Sequence, residues 1–348
     1  MKSKTLLPEA WKKPAPVKIH YLKHICPGIT RKKTGKNFTY YNAVGEKVKD
    51  TDELNRIKSL VIPPAWQKVW VSPYPNSHLQ ATGIDAKGRK QYRYHTEWNK
   101  KRSETKFSRL ADFARSLPKL RAEIERHLAE RYITREKVIA IVIHLMSKSY
   151  IRIGNTSYAK ENGSFGLTTL HDEHVNIHGD MIRFVFTGKK GVQQDIELHD
   201  KRLARMVKSC RDIPGQELFQ FYDNEGNRHC IDSGDINSYL HEICGEGFSA
   251  KDFRTWAGTL HAFKLLSQLP VPQSDTEFKH STLDVIKSVS KALGNTVAVC
   301  RKYYVHPVLL EAFRKGEFEK FYKKHLTHPS GDFDSQAEEM LIEFLENA

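Results

Sequence analysis

No stretch of the 348-residue chain approaches ~20 consecutive apolar residues, so the sequence offers no transmembrane helix. The start, Met1 to Pro8, is basic but has no apolar segment behind it, and does not read as a secretory leader. Cysteine is scarce: Cys26, Cys210, Cys230, Cys244 and Cys300 are odd in number and scattered, without a C-x-x-C pair. That argues against disulfide staples and zinc ribbons and reads as reduced cytosolic thiols. Neither G-x-x-x-x-G-K-[ST] nor G-x-G-x-x-G occurs, so an ATP-driven motor lacks its signature and no nucleotide cofactor is expected. H-E-x-x-H is missing too. The run His171-Asp172-Glu173-His174 with His178 is reminiscent of a metal cluster, but on a strand and turn its side chains are expected to diverge as solvated loop histidines. Asp223 to Asn227 mimics part of a calcium loop, yet the twelfth position holds Gly234 instead of the bidentate Glu, so a hairpin turn is expected. The expected complement of metals and cofactors is none.

Acidic residues are the minority charge. Lys and Arg number 56 against 41 Asp and Glu, a formal net charge of +15. Such an excess points to a polyanionic partner, with nucleic acid first, an anionic membrane surface second, and a basic protein without a specific polyanion as the plain alternative. Hydrophobic residues make up 39% of the chain, enough for a real core, and the length suits two domains.

A Lys- and Pro-rich arm is expected over residues 1–17, and a β-rich domain over 18–98. Within it, 37–41, 69–71, 79–85 and 90–94 read as strands, and Thr51 to Leu60 as a short helix capped by Thr51 or Asp52. The hairpin turning at 85–89 bears Lys87, Arg89, Lys90 and Arg93 beside Tyr92 and Tyr94, a set able to hold phosphates while Gln91 and the tyrosine hydroxyls reach base edges. Its plain alternative is a solvated basic face. The polar run Trp98 to Ser103 reads as the boundary. A mostly helical domain is expected over 104–328, with one helix starting after Pro118, an apolar helix capped by Thr134, and a three-stranded meander over 174–198 whose second turn presents Lys189 and Lys190. Residues 329–348 form an acidic tail. The fold class is α+β, a small β-rich lobe and a larger helical catalytic domain with a three-stranded sheet.

Arg152, Lys189, Arg254 and Tyr304 remain as residues with unexplained chemistry, at helix ends and loop tips. Phosphodiester transesterification needs a hydroxyl nucleophile, fixed donors for the non-bridging oxygens, and an acid for the departing 5′-oxygen. Guanidiniums suit the second role, and a lysine with lowered pKa suits the third. The chain supplies these types, but spacing alone does not bring them together. Nor does composition choose between Tyr303 and Tyr304, or Lys189 and Lys190.

Arg152-Ile153-Gly154-Asn155-x-x-Tyr158 followed by Gly163 to Leu170 resembles the first catalytic-arginine motif of type IB DNA topoisomerases, in their short poxvirus-like and bacterial branch. Phe186-Thr187-Gly188-Lys189 resembles that family's lysine hairpin, and Lys251-Asp252-Phe253-Arg254-Thr255-Trp256 its second arginine motif. Asn295 stands nine residues before Tyr304, and Asp85-x-x-Gly88-Arg89-x-Gln91-Tyr92-x-Tyr94 is similar to the N-terminal DNA-contacting hairpin. The resemblance implies that Tyr304 forms a 3′-phosphotyrosyl link and that Arg152 and Arg254 bind non-bridging oxygens. It further implies that Lys189 protonates the 5′-oxygen and that Asn295 donates where many relatives have His. Arg89, Gln91, Tyr92, Tyr94 and Lys251 would contact DNA. The implied enzyme is a cytoplasmic monomer, nucleoid-associated if bacterial, that clamps duplex DNA and relaxes supercoils without ATP or metal. A tyrosine recombinase is the nearest alternative, though Lys251 stands where recombinases typically have His. A non-catalytic basic DNA-binding protein is the other.

Overall fold

The computed structural model describes residues 18–22, 26–35, 37–86, 88–318, 321 and 333–347. The arm expected over 1–17 and the hairpin cation Lys87 lie outside them. The chain divides into two compact units, Met1–Lys106 and Phe107–Ala348.

The first unit is built on a five-stranded antiparallel sheet in the order β2-β1-β3-β4-β5. Its strands are β1 (Ile29–Thr34), β2 (Asn37–Tyr41), β3 (Gln67–Val71), β4 (Leu79–Ile84) and β5 (Lys90–Tyr94), and helix α1 (Thr51–Ser59) joins β2 to β3. The cap of α1 is Asp50, one residue earlier than expected, and its carboxylate accepts from the Asp52 N–H at 2.9 Å. Ile29, Ile57, Val69, Val71 and Ala81 make a small core. Beside it a polar network fixes the β3–β4 connection: Arg56 donates to the Ser72 carbonyl at 2.6 Å and to Gln80 Oε1 at 2.8 Å, with Gln80 only 2% exposed. Buried groups of this kind are stable only when paired, and these are. β1 went unread in the sequence because Thr30 to Thr34 carries no alternation. Trp98 to Ser103, read as the boundary, lies inside helix α2 (Thr96–Ser108), and the two units divide a few residues later, between Lys106 and Phe107.

The second unit packs helices around α4 (Arg135–Ser149), whose Val138 to Ile143 are all 0% exposed. Thr134 caps α4 as expected, accepting from the Lys137 N–H at 3.1 Å. Helix α3 (Leu110–Leu128) runs straight through Pro118. Phe113, Leu117, Leu120 and Ile124 stay in helical phase on both sides of the proline, and their burial outweighs the one backbone hydrogen bond it removes. After the short α5 (Thr156–Asn162) comes the sheet β6 (Val175–His178), β7 (Met181–Thr187) and β8 (Gln193–His199), antiparallel and in register from Met181↔His199 to Thr187↔Gln193. The remaining elements are α6 (Lys201–Arg211), the ribbon β9 (Gln220–Tyr222) and β10 (Arg228–Cys230), α7 (Ser233–Cys244), α8 (Ala250–Leu266), α9 (Asp275–Leu293), α10 (Val297–Tyr303) and α11 (Pro307–Lys315). Helix α9 begins at Asp275, earlier than the Ser281 expected, because Ser274 caps it. The acidic stretch near the end contains a helix, Phe333–Asn347, packed on α3 and α8 through Ala337, Met340, Leu341 and Phe344. Glu338 and Glu346 on this helix pair with Arg121 and Arg115. The five cysteines are free thiols, and burial pushes Cys210 up to about 12 and Cys300 to about 11. Among the described residues no helix is long and apolar enough to cross a membrane.

Candidate active site

Helix α4 ends at Tyr150, whose left-handed backbone (φ 55°) turns the chain into an extended segment. That segment holds Arg152 by pairing with the 166–168 stretch: the Leu167 N–H donates to the Arg152 carbonyl at 2.9 Å and the Thr168 N–H to that of Ile153 at 2.7 Å. A Cβ at Gly166 would lie 2.5 Å from the Arg152 carbonyl oxygen, so glycine is required for this approach. Asn155 then caps α5, accepting from the Tyr158 N–H at 3.1 Å. The motif's glycines and asparagine are therefore the mount of the arginine.

The β7–β8 turn brings in Lys189. Its base closes through Gly188 N–H to the Val192 carbonyl (2.8 Å), and Phe165 N–H to the Thr187 carbonyl (2.8 Å) ties it to the arginine segment. Desolvation, then the Arg152 guanidinium, holds the Lys189 ammonium below the usual lysine range, and Lys190 and Lys251 push the same way. Lys190 takes the left-handed position of the turn (φ 68°) and is absent from the cleft lining given below.

Arg254 sits in the first turns of α8 and is 4% exposed. It donates Nη1 to the Tyr150 carbonyl and Nη2 to the Leu293 carbonyl, the latter at 2.5 Å. Tyr150 is the C-cap of α4 and Leu293 the last residue of α9, so two helix C-termini, each with partial negative charge, converge on one buried cation. Burial first, and Arg152 second, still lower its pKa to about 10, which leaves it charged at neutral pH. Its Nε is buried and has no hydrogen-bond partner.

Asn295 follows the α9 terminus. Arg152 Nη2 donates to Asn295 Oδ1, across 143 residues of sequence. Arginine can only donate, so the amide oxygen faces it and the Nδ2 end points away. That Nδ2 is buried without a partner. Tyr304 closes the set, with the Arg254 Cζ lying 5.4 Å from its ring centroid. Arg152, Lys189, Lys251, Arg254 and Tyr304 line one cleft of ≈ 430 Å³, together with Ser233 and Asn237 of α7. Asn237 accepts from the Ala250 N–H at 3.1 Å and so joins α7 to the start of α8. Tyr303, 39% exposed, instead has Lys302 Nζ 5.2 Å from its ring.

One expectation is overturned. His171, Glu173 and His174 do not diverge: one ligand-type atom from each lies within 4.8 Å of the others, without His178. Their chemistry nevertheless disfavours a metal. The His171 N–H donates to His174 Nδ1 at 2.9 Å, so the neutral ring keeps its proton on Nε2, the atom facing Glu173 at 3.8 Å. A metal would need a lone pair there.

Residues 95–327 match the family described as the catalytic core of eukaryotic DNA topoisomerase I, and 37–85 the N-terminal domain of bacterial DNA topoisomerase IB. A DNA topoisomerase 1B of Acanthamoeba polyphaga mimivirus is 33% identical over 318 residues, covering 89% of this chain and 94% of the relative. The chain belongs to the type IB DNA topoisomerases. The DNA topoisomerase 1B of vaccinia virus (strain Copenhagen) is 23% identical over 304 residues, covering 82% and 90%. Among solved structures, a XerH site-specific recombinase aligns over 60% of this chain and 50% of its own, with TM-score 0.35 and 12% identity. Membership in the topoisomerase family displaces the recombinase alternative.

The topoisomerase's N-terminal hairpin sorts its expected DNA contacts by strand alternation. On β5 Lys90, Tyr92 and Tyr94 are exposed, the tyrosine rings stacked with centroids 6.1 Å apart. Gln91 and Arg93 point to the other side. Asp85 accepts from Gln91 Nε2 and Arg89 Nε, both at 2.9 Å, so Arg89 and Gln91 are braced by one carboxylate. Neither Gly258 and Thr259, which touch Tyr304, nor the carbonyls that hold Arg254 are marked by any sequence pattern.

Proposed function

We propose that this type IB topoisomerase relaxes supercoiled duplex DNA as a monomer, through a transient bond between Tyr304 and a 3′-phosphate, without nucleotide or metal. The Tyr304 hydroxyl gives its proton to solvent as its oxygen attacks the scissile phosphorus, the P–O bond to the 5′-oxygen breaks, and Lys189 supplies the proton that leaves on the 5′-hydroxyl. Arg152, Arg254 Nε and Asn295 Nδ2 meet the non-bridging oxygens as charge builds on them. The freed 5′ end swivels and then attacks the phosphotyrosyl ester, returning the proton. One ester replaces another at each step, so no external energy source is needed. The observation carrying this reading is the pair of buried donors without partners, Arg254 Nε and Asn295 Nδ2, beside a cleft lined by Tyr304, Arg152 and Lys189. Buried donors left unpaired cost stability unless a ligand meets them. On the N-terminal unit, Lys90, Tyr92 and Tyr94 offer a phosphate contact and two stacked phenols to the duplex, with Arg89 and Gln91 held behind them.

Supercoiled plasmid should relax in EDTA with no nucleotide, and an unrelaxed plasmid would overturn the reading. The pH profile of single-turnover cleavage tests the acid. Cleavage needs Lys189 protonated, and its pKa lies below the ordinary 10.5. The rate should therefore begin to fall at a pH lower than an unperturbed lysine would give. Lys189→Arg should move that fall upward. A fall that stays in place would count against Lys189 as the acid.

A further inference from the structure

We infer that Gly258 and Thr259 are positioning residues, which seat the main chain of Tyr304 on the helix that also carries Arg254. The inference rests on Tyr304 being the nucleophile. Tyr304 is not within a helix. It is the C-cap of α10, with φ −128° and ψ −11°, and only Val305 and His306 separate it from α11. His306 caps α11, accepting from the Val308 N–H at 3.2 Å. Burial lowers its pKa to about 4, so the cap is neutral at working pH. A nucleophile on so short a break between helices has little local support, because carbonyls at a helix end have no partner within the helix.

Helix α8 supplies that support. The Tyr304 N–H reaches back to the Cys300 carbonyl at 2.9 Å, but its own carbonyl accepts from Thr259 Oγ1 at 3.1 Å. Thr259 is 0% exposed, so water does not compete for the bond. On the preceding position, a Cβ added to Gly258 would lie 2.6 Å from the Tyr304 carbonyl oxygen and 3.1 Å from both the Tyr304 Cβ and Leu293 Cδ1. The missing side chain is what lets the two backbones meet. Arg254 and Gly258 are one helical turn apart on the same face. One rigid helix therefore sets both the guanidinium and the height of the phenol beside it. In-line attack tolerates little error, and a displacement of ~1 Å can cost ~10²-fold in rate.

Single-turnover cleavage and religation on a saturating duplex test this, with DNA affinity and thermal unfolding measured alongside. Thr259→Val keeps the shape and removes the donor. Both rate constants should fall about 10- to 100-fold while DNA affinity holds within about twofold. Thr259→Ser, which restores the hydroxyl, should retain at least roughly a third of the rate. Gly258→Ala keeps the hydroxyl, adds one methyl, and should lose rate in the same way, a second route should Thr259→Val not fold. A folded Thr259→Val that cleaves at the parental rate would overturn the proposal. So would Thr259→Ser falling as far as Val, or a loss accounted for by weaker DNA binding. An adduct formed by Tyr304→Phe in parallel would overturn the nucleophile assignment instead.

Discussion

Tyr304→Phe should bind duplex DNA and leave no protein-linked strand after denaturation, with cleavage down by roughly 10⁴–10⁶-fold, as when other covalent enzymes lose their nucleophile. The change removes one oxygen and leaves the ring, so the packing against Arg254 persists (Cζ to centroid 5.4 Å). Tyr303→Phe is the control. It removes the same oxygen one residue away, from a ring outside the cleft lining, and should cut within about threefold of the parent, since surface changes away from a site are usually small. The measurement is a denaturing gel of labelled duplex after incubation with each variant. An adduct with Tyr304→Phe, or its loss with Tyr303→Phe alone, would reassign the nucleophile.

Arg254→Ala should cost roughly 10³–10⁵-fold in cleavage, since a single oxyanion donor is worth about 10²–10³-fold and the guanidinium also carries charge. Arg254→Lys should recover less than about tenfold of that loss, because an ammonium lacks the planar fork. In the parent the two Nη groups meet the carbonyls of Tyr150 and Leu293 while Nε stays buried and unpaired. A lysine cannot hold both carbonyls and still present a fixed donor. Single-turnover rates at saturating duplex separate this from binding, which should weaken far less than the rate. A lysine variant near the parental rate would mean that charge suffices and the fork does not matter.

The periodic parts of the fold were legible: the meander and the Thr134 cap. The acidic tail instead holds a helix that buries Ala337, Met340, Leu341 and Phe344. What failed had physical causes. β1 carries charged residues on both faces, so no alternation marks it. Pro118 looks like a break but lies in a helix whose apolar phase continues past it. The histidine pair was expected to splay, and a short 3₁₀ turn draws it together instead, with His174 accepting from its neighbour's backbone. Residue types at the site were readable, whereas their meeting was not. Arg152 reaches Asn295 across 143 residues, and Arg254 reaches Tyr150 across 104. Local pattern is silent at such range, and the family motifs supplied what pattern could not.

The support of Arg254 comes from peptide carbonyls, and every residue type brings one. Any residue that keeps the left-handed turn at 150 and fills the buried position at 293 would therefore still present those acceptors, so long as α4 and α9 end where they do. What matters to the arginine is where the two helices stop. Substitutions that lengthen either helix by a residue should be rarer among relatives than substitutions of the terminal residues themselves.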